Sequence, residues 1–251
     1  MKSSGLFFNR NLQIIFSVTL MAVLGVSSIT PAFPKIARVL NLTSQQVGLL
    51  ITVFTLPGVI LTPLLGVLAD RLGRKKVLIP SLLLFGAAGF LCAFTRDFSL
   101  LLLFRLLQGT GAASLGSLNV TLIGDFFEGR QRASAMGYNA SILSIGTATY
   151  PAIGGALAAI GWYLPFALPV LALPIAFFVL VYLQKVEIKN EKKLMDYLST
   201  AWHNIKDIRI IAVFIASIST FIILYGTSFA LLKIKTCISV TAMPTGNNGK
   251  Q

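Results

Sequence analysis

The chain has 251 residues, 55% hydrophobic and only 12% charged, about half the charged fraction of an ordinary soluble domain. With a mean hydropathy of +0.82, this excludes a soluble domain carrying a single anchor and indicates a polytopic membrane protein. The net charge of +13 does not point to nucleic acid, because the cations cluster in short loops between apolar runs.

Seven apolar runs are long enough, at about 1.5 Å per residue, to cross a hydrocarbon core about 30 Å thick. They lie near 12–34, 45–67, 77–95, 99–123, 133–159, 163–184 and 209–231. Backbone polar groups must be paired inside lipid, and the alternation of barrel strands is absent, so the expected class is all-α integral membrane. Lys2 and Arg10 precede the first run as in a secretory signal, but the run is long for a signal core and further spans follow, so it reads as a retained helix. With the N-terminus inside, the outer loops hold only Lys35, Arg38 and Arg96, whereas the loops at 71–76, 130–132 and 185–209 are rich in Lys and Arg. That asymmetry sets a cytoplasmic N-terminus in a cell membrane.

In chain order, the first run ends on Thr30-Pro31-Ala32-Phe33-Pro34, and Thr43 or Ser44 is placed to cap the second helix. Next comes Gly66-Val67-Leu68-Ala69-Asp70-Arg71-Leu72-Gly73-Arg74-Lys75-Lys76-Val77-Leu78, a charged turn between two spans. Gly66 and Gly73 suit close helix approach and a sharp reversal. This stretch resembles the signature loop of the major facilitator superfamily between the second and third helices, Gly-x-Leu-Ala-Asp-Arg-x-Gly-Arg-Lys-x-x-Leu. The second cytoplasmic loop, Asp125-Phe126-Phe127-Glu128-Gly129-Arg130-Gln131-Arg132, resembles the family loop whose arginine pairs with the signature aspartate. The resemblance implies a conformational latch of Gly66, Asp70, Arg71, Gly73 and Arg74 with Arg130 or Arg132.

Arg105 is the one charge deep within a span, and an arginine at mid-membrane costs about 2.5–3.5 kcal/mol on insertion scales, so it should face protein or water. Ala112, Gly116 and Asn119 fall within about 40° of it on a helical projection, which suits the wall of an aqueous cavity. Arg105-Leu106-Leu107-Gln108-Gly109-Thr110-Gly111 also resembles the family's fourth-helix motif Arg-x-x-Gln-Gly-x-Gly. In proton-coupled antiporters of the family the matching arginine is implicated in proton transfer. A cavity and coupling role is therefore expected for Arg105, Gln108, Gly116 and Asn119, although an arginine that pairs with carbonyls for structural reasons has the same sequence.

The fifth run carries a stripe of small residues, Gly137, Ser141, Ser144, Ala148, Ala152, Gly155 and Ala159, of the kind that lets helices approach closely in lipid. Gly137, Gly146 and Pro151-Ala152-Ile153-Gly154-Gly155 are similar to the antiporter motif of drug exporters, with Tyr150 standing where that motif has glycine.

The resemblance implies the N-terminal six-helix bundle of the major facilitator fold over 1–184, a cytoplasmic linker over 185–208, a seventh helix over 209–231 and an atypical tail over 232–251. In that fold the first and fourth helices line the cavity, the second and fifth face the other bundle, and the third and sixth face lipid. The tail resembles no family helix, and the chain reads as a truncated product of a twelve-helix drug/proton antiporter-like transporter. The expected activity is alternating-access export of a small amphiphilic or drug-like solute, with H+ as coupling partner. Import of a small metabolite, or a half-protein that does not transport, are the other readings; either a missing C-terminal half or a second copy would be needed for transport. Cys92 and Cys237 lack metal-ligand spacing, His203 stands alone, and no nucleotide loop or nucleophile–base pair is visible. The sequence therefore points to no cofactor, no metal, no nucleic acid and no enzyme.

Overall fold

The computed structural model describes residues 3–184 together with Ala212, Ile215 and Ser219. The expected linker, seventh span and tail lie outside the described residues apart from those three positions, which are helical.

Every regular element among the described residues is a helix: α1 (Ser3–Phe7), α2 (Arg10–Ser27), α3 (Phe33–Val39), α4 (Ser44–Leu72), α5 (Arg74–Phe94), α6 (Phe98–Phe126), α7 (Gly129–Ile160), α8 (Leu164–Ala167) and α9 (Ala172–Tyr182). They supply six helices long and apolar enough to cross a membrane, Arg10–Val39, Ser44–Leu72, Arg74–Phe94, Phe98–Phe126, Gly129–Ile160 and Leu164–Tyr182.

The ends are set by local chemistry. The Asn9 side chain accepts from the backbone N–H groups of Asn11 and Leu12 at the start of α2, and Asp97 accepts from Leu100 N–H at the start of α6. Thr43, rather than Ser44, caps α4, in a reciprocal box with Gln46. Gly73 ends α4 with φ of 100°, a backbone angle that side-chain-bearing residues rarely adopt, and α5 starts at the next residue. In the first span Pro31 has no N–H to donate, and the chain tightens to a 3-10 turn over Thr30–Ala32 before resuming as α3. Ile29 N–H there donates to Val26 O (3.2 Å), one residue short of the α-helical partner, Gly25 O.

Packing relies on missing side chains. A Cβ on Gly109 would overlap the carbonyl oxygen of Phe54, and one on Gly111 would come within 2.6 Å of Phe85 N. The backbone of α6 therefore lies directly against α4 on one side and α5 on the other. A Cβ on Gly154 would overlap Ser28 O, so α7 meets the end of α2 in the same way. In lipid, where apolar surface alone does not drive helices together, such approach supplies the dispersion contacts. Thr62 Oγ1 adds a cross-helix bond to Ala113 O (2.8 Å).

Coverage is uneven. Over their most apolar stretches α4 and α7 are 22% and 17% buried, against 61% for the first span and 56% for α5. The second and fifth spans thus present the largest uncovered faces of the described bundle; the third packs on α6 and α9 and leaves Leu83, Phe90, Leu91 and Phe94 exposed on its other side, the side expected to meet lipid.

Candidate functional site

Two polar centres stand out. At the end of the bundle where α4 turns into α5, Arg74 links three elements. Its Nη1 lies 2.6 Å from Asp70 Oδ1 and donates to Ala69 O (3.1 Å). Its Nε donates to Asp125 Oδ2 (2.9 Å), 51 residues away in the last turn of α6. The cation sits at the C-terminal end of α4, where the helix dipole favours it. Arg74 is only 17% exposed and the two carboxylates 32% and 23%, so the triad is shielded more than a surface pair but is not dry.

This corrects the expected latch. The base on Asp70 is Arg74 of the same turn, four residues on, and the second loop contributes an acid, Asp125, not Arg130 or Arg132. Both arginines begin α7 and are exposed; the Arg132 guanidinium lies over Gly124. The one-residue turn at Gly73 brings Arg74 back over the end of α4, closer to Asp70 than side chains from α7 reach. Arg71 is exposed at the same turn. Gly73 makes the reversal, whereas a Cβ on Gly66 would meet nothing within 4 Å. The close approach expected at Gly66 is not made by the described residues.

The second centre is Arg105, fully buried in α6. Its Nη1 donates to Gly25 O (3.0 Å) and Gln108 Oε1 (2.8 Å), and its Nε to Leu50 O (3.3 Å). The guanidinium carbon lies 4.7 Å from the Phe54 ring centroid and 5.6 Å from that of Phe166. One side chain thereby touches the first, second, fourth and sixth spans. Gly25 O is the carbonyl left without its helical donor by the turn at Pro31, so the arginine completes the break in the first span. Arg105 Nη2 and Gln108 Nε2 have no partner among the described residues.

Farther along α6, Asn119 Nδ2 donates to Thr19 Oγ1 (3.0 Å), and Thr19 shares a 2.6 Å bond with Asn139 Oδ1. This joins α2, α6 and α7 through polar groups in an apolar bundle. Arg105, Gln108 and Asn119 are therefore sealed between helices and do not form an open cavity wall; of the four expected residues Gly116 alone is exposed. A helical projection gives angles on α6 but not where α2 crosses it, and the boundary of burial runs between Gly116 and Asn119.

The α7 residues divide likewise. Gly146 packs near Leu20, Gly154 on Ser28 and Gly155 near Pro31, all on the first span, whereas Gly137 faces open space. Pro151 is half-buried within α7. Sequence reasoning passed over Asp125, Thr19, Asn139 and Phe54 as site residues. An acid at the end of the fourth span in the position that Asp70 holds at the end of the second was the available signal for Asp125, and a hydroxyl or amide inside an apolar run was the signal for Thr19 and Asn139.

Six crossing helices, a charged turn clipped by one arginine and a buried arginine two turns into the fourth span define a multi-pass membrane bundle. The sequence pattern of the Major Facilitator Superfamily matches residues 15–240, and the chain belongs to that superfamily; the match runs beyond residue 230, where the motif-based resemblance stopped. Among characterised relatives, the chain is 35% identical over 164 residues to the bacillibactin exporter of Bacillus subtilis (strain 168), covering 62% of this chain and 41% of that protein. It is 32% identical over 158 residues to the quinolone resistance protein NorA of Staphylococcus aureus (strain Mu50 / ATCC 700699), covering 63% and 41%. The aligned part is thus about two fifths of the length of these relatives. The fold resembles that of the proton:xylose symporter XylE, with a TM-score of 0.62 at 17% identity over 72% of this chain and 45% of the other. For the human organic anion transporter MFSD10 the TM-score is 0.60 at 19% identity, over 72% and 49%.

Proposed function

We propose that this chain is the N-terminal bundle of a proton-coupled exporter of small amphiphilic solutes, sited in the plasma membrane with a cytoplasmic N-terminus. The observation that carries the reading is Arg74, which ties Asp70 at the end of the second span to Asp125 at the end of the fourth. Such a clip holds the cytoplasmic ends of α4, α5 and α6 as one rigid body, as rocking of two bundles around a midplane site requires. Gly137, Ser141 and Ser144 on the uncovered side of α7, with the uncovered face of α4, supply the surface for the second bundle. Arg105 positions the first, second and fourth spans, and its unpartnered, buried Nη2 is the group a coupling proton acceptor would meet once the helices part. The exporter direction and the amphiphilic substrate class are supported by the bacillibactin exporter and NorA as relatives.

The test is dye transport by everted membrane vesicles containing the chain together with a complementary six-helix half, in a host deleted for its own exporters. Energised vesicles should accumulate ethidium, and a protonophore should abolish the accumulation. Accumulation that ignores the protonophore would overturn the coupling. A second reading rests on the open faces of α4 and α7: the bundle transports nothing by itself and requires a second bundle, from a C-terminal half or another copy. Activity appearing only on co-expression with a complementary six-helix half would favour it.

A further inference from the structure

One cleft in the described bundle is used neither by the Arg74 triad nor by Arg105. It lies between α2 and α9, has a volume of about 420 Å³, and is open on one side. Arg10 begins α2 and Tyr182 ends α9, so the two mark the same end of antiparallel spans. The Arg10 guanidinium carbon sits 3.6 Å from the Tyr182 ring centroid. From this pair the cleft runs inward past Gln13 and Ile14 to Ser17 on one wall, and past Phe178 to Ile175 on the other. Seven residues on each helix correspond to about 10 Å of depth. The cleft is therefore cationic and aromatic at the membrane surface, with an apolar wall of Phe178, Ile175 and Ile14 farther in, interrupted on the α2 side by Gln13 and Ser17.

We infer that this cleft is a binding site for a phospholipid with an anionic headgroup, taken from the leaflet at the Arg10 end. Three observations support the assignment. First, Arg10 forms no hydrogen bond or ion pair among the described residues; stacking uses the face of its guanidinium and leaves the N–H edge for a phosphate, which it can meet with two parallel bonds. Second, the cleft is fixed before any ligand arrives. Asn11 Nδ2 donates to Gln184 Oε1 (3.1 Å), and Lys75 Nζ donates to Leu183 O (3.0 Å). These bonds tie the ends of α2 and α5 to the residues just after α9. Third, the α9 wall is already lipid-like surface: Phe178 is 50% exposed. A chain lying along Ile14, Phe178 and Ile175 with its phosphate at Arg10 matches both the polarity and the depth of the groove, the arrangement by which basic pockets between spans recognise lipid headgroups. The inference requires that the helices cross a bilayer; it does not depend on transport direction or substrate, so it can fail while the proposed function stands, and the reverse.

The experiment is native mass spectrometry of the full chain in mild detergent, titrated with phosphatidylglycerol, phosphatidylcholine and glycerol 3-phosphate. One phosphatidylglycerol should be retained with roughly fivefold preference over phosphatidylcholine, the contribution of one cation at an anionic surface. Arg10→Ala should abolish the preference. Ile175→Trp, which fills the groove and leaves Arg10 in place, should reduce binding of both lipids. Arg96→Ala, which removes a cation stacked on Trp162 and Tyr163, should preserve the preference. Circular dichroism checks that each variant remains helical, and Arg10→Lys, which keeps the charge, replaces Arg10→Ala if that variant fails to fold; it should retain part of the preference. Equal retention of both lipids, an unchanged preference in Arg10→Ala, or no retention at all would overturn the site. Displacement of the lipid by equimolar glycerol 3-phosphate would show a soluble-anion site instead and would equally overturn it.

Discussion

Replacing Arg105 separates what its charge does from what its bulk does. In Arg105→Met the volume is retained. The losses are the bonds to Gly25 O, Leu50 O and Gln108 Oε1 and the stacking on Phe54 and Phe166. An orphaned buried acceptor costs about 1–3 kcal/mol, and two cation–π contacts in a dry site contribute roughly 1–3 kcal/mol together. Against this, removing a charge from inside a span returns at most about 2.5–3.5 kcal/mol, the helix-centre value. The two sides offset in part, so Arg105→Met should lose clearly less stability than a truncation. Arg105→Ala relieves the same charge but empties a site that is fully buried, and truncation of a large buried side chain costs a further 2–5 kcal/mol or about that. The assay is reversible unfolding by sodium dodecyl sulfate in mixed micelles, followed by far-ultraviolet circular dichroism. Arg105→Ala should unfold clearly earlier than Arg105→Met. If Met and Ala are equally and severely destabilised, the hydrogen bonds of the guanidinium outweigh its desolvation and the balance drawn here is wrong.

Gly109→Ala drives a Cβ into the Phe54 carbonyl and should cost about 1–3 kcal/mol or prevent assembly, whereas Gly137→Ala, facing open space, should leave unfolding unchanged; the same assay reads both. Arg74→Gln should uncouple α4 from α6, read as a loss of spin-label distance order between the ends of these helices, and Arg132→Gln should leave that distance distribution intact. Thr43→Ala removes the capping box of α4 and should cost about 1 kcal/mol, with faster amide exchange confined to the first turn of that helix as the diagnostic. In a protein competent for export, Arg105→Met should abolish proton dependence; normal dependence would remove Arg105 from the coupling proposal.

The membrane class, the six described spans and the family were legible because they rest on composition, run length and the motifs around Asp70 and Arg105. The partners of those residues were not. Asp70 lies four residues from Arg74 in the sequence, yet the choice of Arg74 over Arg130 depends on the φ of Gly73, and the Arg74–Asp125 pair depends on how α4 and α6 cross. Arg105 binds backbone carbonyls, which every residue has, so no side-chain pattern announces Gly25 or Leu50. The glycines at 109, 111 and 154 could be recognised as small, but which backbone each one meets is a property of the packed bundle. The stripe on α7 showed the limit of periodicity: spacing placed Gly137 and Gly155 together, while contact with the first span separates them.

The central claim is a membrane-crossing bundle with the Arg74 triad at its cytoplasmic end. Its most direct test is cysteine accessibility in a chain whose Cys92 and Cys237 have been replaced by serine, comparing Lys76→Cys beside the triad with Arg38→Cys at the opposite end of the first span. A membrane-impermeant maleimide added to intact cells should label Arg38→Cys and should reach Lys76→Cys only after permeabilisation. Labelling of Lys76→Cys in intact cells would contradict the account.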